Sequence, residues 1–299
     1  MSSVEVSNVE VSAARRLYWS VQLELWENRT IYLAPLAVGG IVLVGFFISL
    51  LTLPARMRAA LTLSPPELRQ AIEQPYVIAG LILMVVDILV AIFYCLDALY
   101  GDRRDRSILF WKSLPVSDLM TVLAKASIPI LVLPLVTFAA TVATQVVMLL
   151  ASSVVLAAGG ISPSTLWAHV SPLDIVRINF GHLVGVHGIW WAPLYAWLLL
   201  ASAWAMRLPF LWAVLPPVAI GVVERIAFNS THFATAVQNY FFAGPNVAPM
   251  TPASPMTMDM MTPPSLGYFL ISPGLWIGLG LSAVFLLGAV RLRRSRGAI

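Results

Sequence analysis

The residues able to do chemistry in this chain are few, and their spacing excludes most of it. Two lysines occur, flanked as Trp111-Lys112-Ser113 and Ala124-Lys125-Ala126. A phosphate-binding loop needs Gly-Lys-Ser/Thr so that backbone amides and an ammonium converge on phosphate, and neither lysine fits. Nucleotide hydrolysis by this chain is therefore not expected, and any active transport would draw its energy from another polypeptide. The histidines are His169, His182, His187 and His232. His182 and His187 lie five residues apart. On an α-helix that spacing puts them about 140° apart, so they should not share a face. No His-Glu-x-x-His, no Gly-x-Ser-x-Gly and no clustered carboxylate pair occurs, so the chain is not expected to be an enzyme. A lone cysteine, Cys95 in an apolar run, excludes an internal disulfide and a Cys-x-x-Cys metal site. Thioethers at Met250, Met256, Met258, Met260 and Met261 would suit Cu(I) or Ag(I). No Cys or His interleaves them, and an irregular Pro-rich loop accounts for the same residues. No cofactor and no metal site is expected in this chain.

Three acids fall in or at the edge of apolar runs: Asp87, Asp97 and Glu224. Asp87 lies about 16 Å along its run, near mid-bilayer, whereas Asp97 lies about 32 Å along, at its end. A carboxylate facing lipid at mid-bilayer costs about 2.5–3.5 kcal/mol, so Asp87 should face the bundle interior, a partner or a wet cavity. Glu224 has Arg225 beside it, although adjacent helical residues point about 100° apart. Each is either a cargo-path or proton-linked group or a structural hydrogen bond or ion pair. Pro216-Pro217 interrupts a helical backbone ladder and is a candidate hinge.

The densest polar segment runs from Asp102-Arg103-Arg104-Asp105-Arg106-Ser107 through Leu109, Phe110 and Trp111 to Pro115-Val116-Ser117-Asp118. Mixed charge followed by an apolar-aromatic patch suits docking into a protein groove, the charges orienting and the large side chains burying area. The same residues would also suit a basic loop whose aromatics lie among lipid headgroups.

The elements that must carry these residues follow from composition. The chain has 299 residues, 59% hydrophobic and only 11% charged, with mean hydropathy +0.86. That is far below the roughly 25% charged residues of a soluble domain, so most apolar surface must face lipid. The formal charge of +4 comes from dispersed basic residues beside apolar runs, so topology explains it better than nucleic acid does. Six runs reach the roughly 20 residues that a helix needs to cross a bilayer, at about 31–53, 76–100, 119–158, 183–206, 210–229 and 271–290. An all-α bundle is expected, because lipid offers the backbone no partner. It has a cytoplasmic N-terminus at 1–30, a transmembrane domain at 31–290, a connector at 101–118 and a basic tail at 291–299. With both termini in the cytoplasm, 13 basic residues fall inside and 5, namely Arg56, Arg58, Arg69, Arg177 and Arg225, fall outside. Ser64-Pro65-Pro66-Glu67 should start a short surface helix ending at Gln74. The third run, 41 residues from Asp118 to Ala158, is too long for the hydrocarbon and should project inward as a stalk, bent near Pro129 and Pro134. Leu17, Tyr18, Val21, Leu25 and Trp26 recur at helical spacing with Arg15, Arg16, Glu24, Glu27 and Arg29 between them, so this segment could lie in the membrane interface or dock on a soluble partner.

The connector resembles that of the membrane subunits of ABC exporters of the ABC-2 type, on Arg103 to Asp105, Ser107 to Leu109 and Pro115-Val116-Ser117. The resemblance extends over nearly the whole chain through Trp191-Ala192-Pro193 to Trp204, Pro209-Phe210-Leu211-Trp212 with Pro216-Pro217, and the Arg-rich end. It implies a permease with six transmembrane helices, an N-terminal amphipathic elbow helix and a type V exporter-like fold, in the cell's inner (plasma) membrane. It further implies a dimer with a second permease copy, identical or related, and a cytoplasmic ABC ATPase subunit that supplies ATP and Mg2+. The connector would be the coupling helix, with Asp102 to Ser107, Leu109, Phe110 and Trp111 in the ATPase groove and Arg207 in a smaller second coupling turn. An ATP-independent carrier and a structural or regulatory membrane subunit are the alternatives, and the resemblance says nothing of cargo.

Overall fold

The computed structural model describes residues 12–106, 116–243 and 266–295. All regular structure among them is helical. Helix α1 (Ala13–Glu27) lies against the bundle, and α2 (Thr30–Leu50) is the first long apolar helix. A short α3 (Leu53–Ala60) leads to α4 (Pro65–Arg104), and α5 spans Asp118–Ala158. Next come α6 (Ser164–His169) and α7 (Pro172–Asn179), the latter running on as a π-wound segment, Phe180–Trp190. Helices α8 (Ala192–Trp204), α9 (Pro209–Phe228), α10 (His232–Gln238), α11 (Leu266–Ile271) and α12 (Pro273–Ser295) complete the order. Among the described residues five helices are long and apolar enough to cross a membrane, or six if the bent pair Ser164–Trp190 and Ala192–Trp204 is one span. The chain is thus a multi-pass membrane protein.

Several elements differ from the sequence expectation for identifiable reasons. The proposed surface helix does not stop at Gln74. Ser64 and Glu67 form a capping box, Glu67 Oε2 accepting from the Ser64 amide at 3.1 Å and hydroxyl at 2.7 Å, and the helix then runs 40 residues through Pro75. Pro75 itself leaves the Ala71 carbonyl, one turn back, without its helical donor. Just past it, Gln145 Nε2 donates to the Tyr76 carbonyl at 2.8 Å, and Asn179 Nδ2 donates to Gln145 Oε1 at 2.7 Å.

In α5 the two prolines produce one π turn, Ile128–Val132, and the helix continues unbroken. Pro134 has no N–H for the Ile130 carbonyl, and Gly188 packs on that oxygen so closely that any side chain would collide with it. The fourth run is longer than expected and bent by 44° at Trp191, where Pro193 and the π winding interrupt the ladder.

The core has two main parts. One gathers Ile31, Tyr94, Leu99, Val122, Ile128, Leu133, Tyr195, Leu199 and Ala289 at the end of the bundle that carries α1, here called proximal. The other gathers Met57, Ile72, Tyr76, Met148, Leu156, Leu166 and Ile175 at the distal end. Helix α9 is peripheral, with Ala213 its one buried residue.

Candidate functional site

The site is assembled at the proximal end from four helices. On α1, Leu17, Val21 and Leu25 form the apolar stripe, and Glu24 lies on that stripe rather than between its members as expected. Packing α1 on the bundle therefore buries a carboxylate, which must find a cation. It finds Lys125 of α5, Nζ to Oε1 2.7 Å, while Tyr94 of α4 donates its hydroxyl to Oε2 at 2.9 Å. Lys125 is only 3% exposed and also meets Asp102 Oδ1 at 3.2 Å. The other oxygen of Asp102 accepts from Arg293 Nη1 of α12 at 2.8 Å, and Arg293 Nε reaches Asp118 Oδ1 at 3.2 Å. Three carboxylates and two cations thus interleave, with opposite charges adjacent throughout. Beside them, exposed Glu27 has its carboxyl raised above the usual range, first by partial desolvation and then by Glu24.

This arrangement corrects the reading of the connector. Asp102 and Arg103 face inward, both buried. Arg103 Nη1 donates to the carbonyls of Ala203 at 2.7 Å and Ala205 at 3.2 Å, closing the C-terminus of α8 where a cation is favoured. Arg104 and Asp105 are exposed and paired at 2.8 Å, which holds the Asp105 carboxyl below its usual range, and Arg104 lies 3.5 Å from Asp97. Arg106 and Arg207 are exposed as well, Arg207 in the tight turn where Leu208 takes a left-handed φ of 51°. Ser107, Leu109, Phe110 and Trp111 lie outside the described residues, as does the Met-rich segment. Helix α12 continues to Ser295, into the segment expected as a basic tail, and Arg293 is buried. The expected stalk is no free projection: Thr121, Val122, Ala124, Lys125 and Ala126 are buried, because α1 and α12 pack on it.

The remaining polar candidates separate. Asp87 is fully buried between α4, α5 and α8, beside Thr137 and near Tyr195, so it faces the bundle interior as expected. Asp97 is exposed at the proximal end of α4. Glu224 does not pair with Arg225. It accepts from Ser230 Oγ at 2.7 Å and from the amides of His232 at 2.7 Å and Phe233 at 2.9 Å, capping α10. Pro216 and Pro217 leave α9 unbroken, and the Ala213 carbonyl that Pro217 frees accepts from Trp197 Nε1 of α8 at 2.9 Å. In this structure the dipeptide makes a docking point.

The histidine argument also changes. In the π-wound segment residues five apart stack, so His182 and His187 come onto one side. His182 Nδ1 lies 2.9 Å from the Ile178 carbonyl, and the His187 ring packs on Trp191 with centroids 4.9 Å apart. Among the described residues no group of three or more His, Cys, Asp or Glu could hold a metal ion.

The network of Glu24, Lys125, Asp102, Arg293 and Asp118 was missed in sequence, though two signals were there: an acid at the third place of the repeat 17, 21, 24, 25 on α1, and a single lysine within an apolar helix. No family model, no curated protein and no solved structure matches the chain.

Proposed function

We propose that the chain is the permease subunit of an ATP-driven exporter of the ABC-2 type, working as a dimer on separate cytoplasmic ATPase subunits, with the proximal end in the cytoplasm. The observation that carries this reading is Arg293. One guanidinium holds both ends of the connector, Asp102 at its start and Asp118 at its finish, and ties them to α12. Lys125 ties the same base to α1 through Glu24. A push on the connector would therefore reach α1, α4, α5 and α12 together, as a coupling element requires. Exposed Arg104, Asp105 and Arg106 are the charges left to orient an ATPase groove, and Phe110 and Trp111 would fill it.

In the test, tagged chain is purified from its native membrane and assayed for a co-purifying ATPase. The reading expects retention of that partner by the native chain and its loss from a Phe110→Ala, Trp111→Ala variant that still inserts. Nucleotide hydrolysis by the chain alone, or labelling of a connector cysteine only from outside the cell, would overturn it.

A further inference from the structure

A cavity of about 740 Å3 lies at the distal end between α2, α3, α4 and α5. Its walls are apolar, with Phe46, Ile72, Ala79 and Met148 among them, and the Tyr76 and Ser152 hydroxyls meet on its inner face. Along α2 it extends from Val38 to Ser49, and along α4 from Ala71 to Ile82, eleven helical rises in each case. That is about 16 Å of helix, close to the 15 Å depth of one leaflet's hydrocarbon. Arg56 of α3 stands at its surface end and is the one charged residue lining it. Its Nη2 is held by the Ser49 carbonyl at 2.6 Å, and its other N–H groups have no protein acceptor among the described residues. An apolar slot one leaflet deep, under a fixed cation with no acid to neutralise it, is complementary to a single acyl chain below an anionic headgroup.

We propose that this cavity seats an acyl chain of an anionic phospholipid from the distal leaflet, its phosphate held by Arg56. The inference needs only that the bundle spans a membrane, so it stands or falls separately from ATP coupling.

Full-length chain in detergent is equilibrated with mixed micelles containing equal phosphatidylglycerol and phosphatidylcholine, and retained lipid is counted by native mass spectrometry. Native chain should favour phosphatidylglycerol about fivefold, the attraction expected of one basic side chain. Arg56→Gln should abolish that preference while leaving a lipid bound. A side chain at Gly45 meets nothing within 4 Å as it enters the cavity, so Gly45→Leu should fold normally and lose the tightly held lipid of either headgroup. Circular dichroism and a monodisperse elution profile verify both variants. Equal retention of the two lipids by the native chain, or an unchanged lipid count in Gly45→Leu, would overturn the proposal.

Discussion

Lys125→Met is the sharpest perturbation of the proximal cluster. The ammonium lies between Glu24 at 2.7 Å and Asp102 at 3.2 Å, with all three side chains nearly excluded from solvent. Methionine keeps the volume but leaves Glu24 buried with no cation in its place, while Asp102 retains Arg293. Removing one partner from a buried pair costs about 3–5 kcal/mol. At about 2–4 °C per kcal/mol for a chain of this size class, Tm should fall by about 10 °C. Arg69→Gln is the matched comparison, because the Arg69–Glu73 pair, at the same 2.7 Å, is an exposed i, i+4 contact. Such pairs contribute about 0.3–0.5 kcal/mol, so Tm there should barely move. Adding Glu24→Gln to Lys125→Met should recover part of the loss, with a coupling of about 0.5–3 kcal/mol. Thermal unfolding in a mild detergent, followed by circular dichroism, reads the native chain, Lys125→Met, Glu24→Gln, the double variant and Arg69→Gln. Equal Tm shifts for Lys125→Met and Arg69→Gln, or strict additivity in the double variant, would refute the buried cluster.

Trp197→Phe should leave the Ala213 carbonyl unsatisfied at the α8–α9 contact, at a cost of about 1–3 kcal/mol, seen as a lower Tm and faster hydrogen exchange in α9. Gly188→Ala should destabilise the bundle more than Gly185→Ala, since a Cβ at 188 meets the Ile130 carbonyl and one at 185 meets nothing; the two Tm values decide it. Glu224→Ala should expose the 229–238 segment to proteolysis without changing the bundle's Tm, because its hydrogen bonds reach only Ser230, His232 and Phe233. Glu27→Gln should raise Tm at neutral pH, where the native carboxylate is ionised against its raised pKa. That gain should vanish below pH 4.5, where both side chains are neutral.

What the sequence disclosed depended on the range of the interaction responsible. The run from Asp118 to Ala158 forms one helix at its expected bounds because lipid leaves an apolar backbone no alternative. Membrane-helix ends at Leu50 and Phe228 lie within a few residues of expectation for the same reason. Proline was legible only in part. The helix expected to stop at Gln74 runs on through Pro75, whereas Pro129 falls in the π turn at the place where a bend was expected, and Pro216 lies within α9. How a carbonyl freed by proline is satisfied depends on side chains far away in sequence, as with Trp197 on Ala213. The charge cluster was the least legible. Asp102 and Arg293 are separated by 191 positions, and no local pattern announces that they meet. Their neighbourhood in sequence, a basic tail and a charged connector, looks solvated, and only packing α12 against α5 turns both inward.

The two ends of the bundle are joined by different chemistry, and this difference bears on how it could move. At the distal end the buried polar contacts are neutral, Tyr76 with Ser152 and Gln145 with Asn179, and the charged contact of Arg58 with the Gly159 carbonyl is exposed. Neutral interhelical bonds of this kind contribute about 0.6 kcal/mol each in lipid, so helices there can exchange partners at little cost. At the proximal end the contacts are ionic and buried, and each ion removed from its partner costs several kcal/mol. A displacement applied at the connector would therefore carry α1, α4, α5 and α12 as one body, because separating them is dearer than moving them. The compliant elements are distal and peripheral, above all α9, which is tied to α8 near one end through Ala213 and otherwise presents Val218, Val222 and Ile226 outward. If the protein alternates between closed and open states, the rearrangement should be concentrated there, with the proximal charges unbroken throughout.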